Sequence, residues 1–404
     1  MGNQELLAID IGTDVIKVFS GNIDINGVLS ITGNGVVPTD GFSKGAITST
    51  DALTKSLQLA VECVTTNDDT IQAYLGVGGM GLESHNAVGH ISLNSLETIT
   101  ACDLDRVCRA AALTTVPDEL EVLHVLPRSF RVDGQVFVTP PIGQNGRQLE
   151  AEVLIVTVPK AIINGFVRDI KAIGLEITGV VANAVVLGQV LAKDLKTRSN
   201  LILDIGAGTT DIVVYDDGQI VKVYSLPFGG AYITSDIMQG VGIDYNHAEA
   251  IKRYYAKLDK NLHGQEVILD CNDNGTTDKN IPYDFLYNII ESRVEEIVLL
   301  VFESLKPILA EVKIEKIHIT GGCSAMNSFA YCLEKIGGLP VTQIVPSTLP
   351  AEYSNPVNTA CYGIMCYAKS RQTSVETIST GTWNSLLTKV KHFFKPTHLS
   401  NSSE

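Results

Sequence analysis

One short pattern occurs twice in this chain, once at its start and again at its middle. Residues 201–215 read Leu-Ile-Leu-Asp-Ile-Gly-Ala-Gly-Thr-Thr-Asp-Ile-Val-Val-Tyr, and residues 6–18 read Leu-Leu-Ala-Ile-Asp-Ile-Gly-Thr-Asp-Val-Ile-Lys-Val. Each runs from a short apolar stretch through Asp-Ile-Gly into a second apolar stretch, which predicts strand, turn, strand. In the longer copy the strands are expected at Leu201 to Leu203 and Ile212 to Val214, with Asp204 to Asp211 as the turn. Gly206 and Gly208, flanking Ala207, would let backbone N–H groups reach phosphate oxygens where side chains obstruct. Thr209 and Thr210 add hydroxyl donors, and Asp204 at a strand end suits holding a hydrated Mg²⁺ against the same phosphates. Asp10, Gly12 and Thr13 take these places in the shorter copy, and Lys17 would point a cation into the cleft. Taken singly, each motif also fits a ligand-free glycine-rich hairpin, and Lys17 an ordinary solvated strand lysine. Repetition points instead to two similar halves that offer their turns to one cleft.

At 404 residues the chain has room for two or three domains. Its net charge of −15 argues against general nucleic-acid binding, which needs clustered Lys and Arg. The eight cysteines (63, 102, 108, 271, 323, 332, 361 and 366) form no CxxC pair, so a zinc site is not expected. They read as reduced core residues of a cytoplasmic protein. The chain enters a strand almost directly after Asn3-Gln4-Glu5, leaving no room for a signal peptide, and no run of eighteen apolar residues occurs.

Along the chain, three short strands are expected from Leu6 to Val37, separated at Asn22 to Asn26 and at Gly33 to Gly35. A helix at Asp51 to Val64 and a strand at Ile71 to Val77 follow. Residues 81–160 read as an α+β insertion with its own core. It holds a helix at Asp103 to Leu113, strands at Glu121 to Leu126, Ser129 to Val132, Gln135 to Val138 and Leu149 to Val158, and turns at Pro127, Asp133-Gly134 and Pro140 to Gly143. Helices are expected at Ala161 to Ile173 and Ala182 to Leu195, with Gly174 and Gly179 as breaks. Further helices follow at Tyr232 to Met238, Asn246 to Leu258, Tyr283 to Leu305, Met326 to Ile336 and Tyr362 to Ala368. Asp259 to Asn280 has turn composition, and Lys316 to Ile319 is a strand leading into Thr320-Gly321-Gly322. A double glycine there lets a flat ring lie against backbone, or simply makes a tight turn. Glu249 and Lys252, three apart on a helix, suit the hydroxyls and edge of a nucleoside, or equally an exposed ion pair.

Two Asp-Ile-Gly turns, a Glu-x-x-Lys helix and a later Gly-Gly strand end follow the order of the superfamily of actin, heat-shock chaperone ATPases and sugar kinases. Within it the whole chain resembles the FtsA family of bacterial actin-like cell-division proteins. The most specific stretches are Leu123-His124-Val125-Leu126-Pro127, Asp133-Gly134 and the run from Pro141 to Ala151. The resemblance implies an α/β, actin-like (ribonuclease H-like, duplicated) ATPase fold with an inserted α+β subdomain. Subdomain 1A would comprise 1–80 and 161–195, 1C 81–160, 2A 196–225 and 311–368, and 2B 226–310. It further implies ATP and Mg²⁺ as cofactors. Asp10, Gly12, Thr13 and Lys17 would form one phosphate loop, Gly206, Ala207, Gly208, Thr209 and Thr210 the other. Glu249, Lys252, Gly321 and Gly322 would hold adenosine, with Asp10 and Asp204 at the metal. Asn183 is the nearest match to the residue that orients attacking water, or a helix N-terminal amide with no catalytic part. An amide cannot act as general base, so weak ATPase activity at most is expected.

Residues 369–382 read as a flexible tether. Beyond it, Trp383, Leu386, Leu387, Val390, Phe393 and Phe394 fall at offsets of 0, 3, 4, 7, 10 and 11, one stripe of a helix spanning 383–395, with Lys389, Lys391 and Lys395 beside or opposite. Such a helix lies in a lipid interface or docks on the protein itself. Six buried large side chains set a ceiling of roughly 9–18 kcal/mol before ordering is deducted. By resemblance this tail anchors the chain to anionic lipid on the cytoplasmic face of the inner membrane at the division site. The implied partners are the C-terminal peptide of the tubulin-like protein FtsZ, further copies of the chain and later division proteins. Arg293, in the helix at 289–296, is the candidate contact for the acidic peptide, or an intrahelical partner of Glu296. A sugar kinase would need an Asp base beside a sugar pocket, which no stretch identifies. A chaperone would need a peptide-binding domain where only a tether and short helix follow.

Overall fold

The computed structural model describes residues 4–43, 45–64, 71–79, 81–191, 195, 198–255, 262–269, 279–346 and 348–373. Two compact units divide the chain: one of Met1–Leu82 and Asn164–Tyr367, the other of Glu83–Ile163 with the end of the last helix from Ala368.

The first unit opens with β1 (Gln4–Ile11), β2 (Val15–Ile23) and β3 (Leu29–Pro38), an antiparallel meander. A small hairpin of β4 (Phe42–Ser43) and β5 (Ala46–Ile47) leads to α1 (Thr50–Glu62), and then β6 (Gln72–Val77) lies parallel to β1. Gly33 and Gly35 do not break the third strand as their composition predicts; both lie inside β3. A Cβ on Gly35 would stand 2.3 Å from the Ala60 carbonyl oxygen, so the missing side chain lets α1 settle flush on the sheet. Leu53, Leu57, Ala60 and Val61 form the buried stripe of that helix.

The second unit has the expected α+β make-up with strands longer than predicted. It comprises β7 (Glu83–Thr98), α2 (Ala101–Thr115), β8 (Leu120–Val132), β9 (Gln135–Phe137) and β10 (Asn145–Pro159), adjacent in the order β7-β10-β8-β9. Thr100 and Asp103 close a reciprocal cap at the start of α2. Leu104, Val107 and Ala111 of α2 pack with Phe130, Leu149 and Val153 of the sheet as a separate core. Pro127, expected as a turn, lies within β8 opposite Val153, where the register shifts. Asp133 and Gly134, with φ of 48° and 87°, make the tight turn their letters predict.

After α3 (Lys160–Ala172), the chain forms β11 (Ile177–Ala182), where Gly179 suggests a break, and α4 (Asn183–Val190), shorter than expected. β11 adds parallel to β6, giving the order β11-β6-β1-β2-β3. The second half of the first unit holds β12 (Asn200–Ile205), β13 (Thr210–Asp216), β14 (Gln219–Leu226), α5 (Gly230–Val241), α6 (Tyr245–Tyr255), β15 (Glu266–Leu269) and β16 (Lys279–Pro282). It continues with α7 (Tyr283–Leu309), β17 (Lys316–Thr320), α8 (Asn327–Gly337), β18 (Val341–Gln343) and α9 (Thr359–Thr373). Within this unit its strands run β18-β17-β12-β13-β14. Again a meander of three is joined in parallel by a later strand, β17 on β12, and then by another, β18 on β17. The two halves therefore share one topology, as the sequence repeat predicts. Leu201, Leu203 and Ile212 of the second sheet bury against Ile290, Val294 and Val298 of α7 and Phe329 of α8.

Two further expectations change. The second turn is shorter than Asp204 to Asp211, because both aspartates belong to strands. Helix α9 runs to Thr373, so residues 369–373, read as tether, are helical. The rest of the tether and the tail at 383–395 lie outside the described residues. Among the described residues no helix is long and apolar enough to cross a membrane.

Candidate functional site

The repeated turns close in the same way. Gly12 N–H donates to the Val15 carbonyl at 3.1 Å and Gly206 N–H to the Thr209 carbonyl at 2.9 Å. A Cβ on Gly208 would lie 2.5 Å from Thr13 Oγ1, so the second turn sits directly against the first, at one place in the first unit. In the β1–β2 register Asp10 stands opposite Lys17, and in the β12–β13 register Asp204 stands opposite Asp211. Asp211 is thus the counterpart of Lys17. Sequence reasoning assigned it no role, although the seven-residue spacing is the same in both copies.

These side chains form a charged cluster. Lys17 Nζ lies 2.7 Å from Asp10 Oδ2 and donates to the Val357 carbonyl at 2.8 Å. Burial works against the Lys17 charge, but the negative groups around it, Asp10 first and then Asp204, together hold the ammonium above its ordinary range. Asn183, at the start of α4, donates from Nδ2 to Asp10 Oδ1 at 2.8 Å. Its Oδ1 is buried and has no hydrogen-bond partner among the described residues. Asp211 accepts the Gly79 N–H at 3.0 and 3.2 Å. Burial, and then the charges of Asp211 and Asp10, push Asp204 up to about 7, with Lys17 opposing. Burial likewise pushes Asp211 up to about 6. Three carboxylates against one ammonium leave a surplus of negative charge on hard oxygen donors. Such hard oxygen donors are of the kind Mg²⁺ takes, but among the described residues no three His, Cys, Asp or Glu side chains are grouped so as to hold a metal ion by themselves, so Asp10 and Asp204 could hold a cation only through its water shell, and the orphaned amide oxygen of Asn183 fits a bound water.

The Gly206 carbonyl accepts from Gly230 N–H at 3.0 Å and from Cys323 Sγ at 3.3 Å. Gly321, with φ of 83°, ends β17 where a Cβ would meet Asp204 Oδ1 at 2.3 Å. A Cβ on the next residue, Gly322, would have no heavy atom within 4 Å among the described residues, which leaves an open backbone face. Lys252 is buried and Glu249 half-buried, so their ion pair is not an exposed one. Lys252 Nζ lies 2.5 Å from Glu249 Oε2, 2.9 Å from Thr234 Oγ1 and 3.2 Å from the Gly230 carbonyl. Thr209 is half-buried, whereas Thr210 is fully buried and gives its hydroxyl to the Phe228 carbonyl at 2.8 Å.

Arg293 is held by more than the expected Glu296. Its Nε and Nη2 make a bidentate bond with Asp236 of α5 at 2.5 and 3.0 Å, Nη1 reaches Glu296 at 2.7 Å, and the guanidinium lies over the Tyr232 ring. No local sequence signal around 289–296 points to Asp236, which is 57 residues away.

The family model described as cell division protein FtsA matches residues 201–363, and the one described as the SHS2 domain inserted in FtsA matches residues 79–157. The chain is similar to the cell division protein FtsA of Bacillus subtilis, 32% identical over 333 residues, covering 81% of this chain and 75% of that protein. It is 28% identical to the protein of the same description from Pseudomonas aeruginosa, covering 91% and 90%. Among solved structures it resembles one described as the PilM-PilN type IV pilus biogenesis complex (TM-score 0.66, 16% identity, 90% of this chain and 98% of that one). It also resembles MreB5 of Spiroplasma citri bound to AMPPNP (TM-score 0.55, 14% identity, 93% and 99%). At these identities the structural likeness is one of fold, and that fold is actin-like.

Proposed function

Because the chain belongs to the FtsA family of cell division proteins and has their actin-like fold with an inserted domain, we propose that it binds Mg-ATP between the halves of its first unit and tethers FtsZ filaments to the membrane. Backbone N–H groups and hydroxyls at Thr13 and at Gly206 to Thr209 line the phosphates, with Lys17 supplying the cation and Thr210 bracing the turn from behind. Bound Mg²⁺ supplies counter-charge to the phosphates, and Asp10 and Asp204 hold its hydrated shell. Glu249 and Lys252 face the sugar edge, and the open backbone at Gly321-Gly322 receives the base. Asn183 orients a water through Oδ1 but cannot take its proton, in keeping with slow turnover at most.

Around this core, the tail at 383–395 anchors the chain to anionic lipid on the cytoplasmic face of the inner membrane at the division site. The FtsZ C-terminal peptide docks by an acid that displaces Asp236 or Glu296 from Arg293. Self-association and contacts with later division proteins complete the family reading.

The observation that carries the nucleotide assignment is the seating of Gly208 on Thr13, which brings both turns and their carboxylate surplus to one spot. The test is a thermal melt of the full chain with and without Mg-ATP. Ligand at a hundred times its Kd stabilises by about 2.7 kcal/mol, so the wild-type midpoint should rise by several degrees and that of Asp204→Ala should not. No rise in the wild type, or an equal rise in both, overturns the assignment.

A further inference from the structure

Asp14 is an odd residue to find where it is. It follows Thr13 in the first turn, so its carboxylate stands among groups that would face a polyphosphate, where negative charge repels the ligand. Its answer comes from the other half of the unit. Arg253 of α6 donates from Nη2 to Asp14 Oδ2 at 2.9 Å and from Nε to Glu249 Oε1 at 2.9 Å. One guanidinium thus joins the first phosphate turn to the helix that carries Glu249 and Lys252. Glu249 is fixed in turn by Lys252 and by the Thr234 hydroxyl, at 2.5 and 2.6 Å. Arg253 is therefore aimed at Asp14 by a braced carboxylate on its own helix. The contact links residues 239 apart in sequence and joins the halves on the side of the sugar-facing residues.

We infer that the Asp14–Arg253 bridge is a latch across the nucleotide cleft, which must part for nucleotide to leave and which neutralises Asp14 while nucleotide is bound. This inference rests on the Mg-ATP reading above. The pair is largely exposed on its arginine side, with 62% of the Arg253 side chain accessible, so it is a modest and salt-sensitive restraint, not a permanent tie. An exposed pair of this kind slows release by about two- to fivefold. Asp14→Asn leaves Arg253 with Glu249, and Arg253→Gln leaves Asp14 uncovered.

The experiment follows release of a fluorescent ATP analogue from the full-length chain with Mg²⁺ in stopped flow, at low and high salt. Arg253→Gln, which breaks the bridge and uncovers Asp14, should release about two- to fivefold faster than wild type at low salt; Asp14→Asn, which breaks the bridge but also removes the repelling carboxylate, should release faster by less; and both differences should close at high salt. The exchanged pair, Asp14→Arg with Arg253→Asp, should recover slower release than either Asp14→Arg or Arg253→Asp by itself, a readout that a mere packing role would not give. Wild-type binding with unchanged release in both neutral variants overturns the latch and leaves the nucleotide site standing. A wild-type chain that takes up no analogue overturns both. Melts of the nucleotide-free variants within about a degree of wild type separate the latch from general loss of fold.

Discussion

Asp204 and Asp211 face each other in register at the ends of β12 and β13, and both hold protons more tightly than free aspartates do. With folded-state values of about 7 and about 6 against an ordinary 3.8, the folded chain binds more protons than the unfolded chain between those limits. The stability these groups contribute is complete below about pH 4 and is lost as pH rises through 6 and 7. In nucleotide-free protein, wild type should therefore gain in melting midpoint relative to Asp204→Asn as pH falls from about 8 to 5. A constant difference across that range would show that Asp204 ionises normally. The turns that hold Asp10, Gly12, Gly206 and Gly208 are legible in the letters because turn chemistry is local. Asp211 was missed because the two copies diverge in charge at that position, Lys in one and Asp in the other. The Asn183–Asp10 and Arg293–Asp236 bonds span 173 and 57 residues, and no local pattern encodes such partners.

Elements were legible wherever large apolar side chains kept a helical or strand period, as in α1, α2 and α7. β7 escaped notice because its buried positions include Ser84, Ala87 and Gly89, too small to register as an apolar alternation. A Cβ on Gly89 would stand 2.1 Å from the Val107 carbonyl oxygen, so small residues are what let α2 lie close to the strand. β11 was hidden likewise by Gly179, whose bare face receives the Tyr74 ring. Glycine in a strand thus marks close approach here, not interruption. Gly35→Ala should accordingly lift α1 from β3 and lower stability by about 1–3 kcal/mol, the usual cost of overpacking, seen as a lower urea midpoint. An unchanged midpoint would mean that α1 has room to give.

For the whole molecule, the duplicated topology and the inserted unit were both foreseen from one repeat and one change of texture. The proposed membrane attachment rests instead on the sequence at 383–395, which holds six large apolar residues and three lysines and no acid. Removing residues 383–404 should leave the chain in the supernatant when vesicles containing anionic lipid are sedimented, while the full chain pellets. Continued pelleting of the shortened chain without self-assembly would retire the anchor. The unit that holds both turns has a subtler property. Two identical hairpins meeting head-on would create a pseudo-dyad, indifferent to which way round a guest arrives. With Lys17 on one hairpin and Asp211 at the matching station of the other, that equivalence is broken. An elongated guest, anionic at one extremity and aromatic at its opposite, would thereby be given a single polarity, with divergence between the doubled halves as its compass.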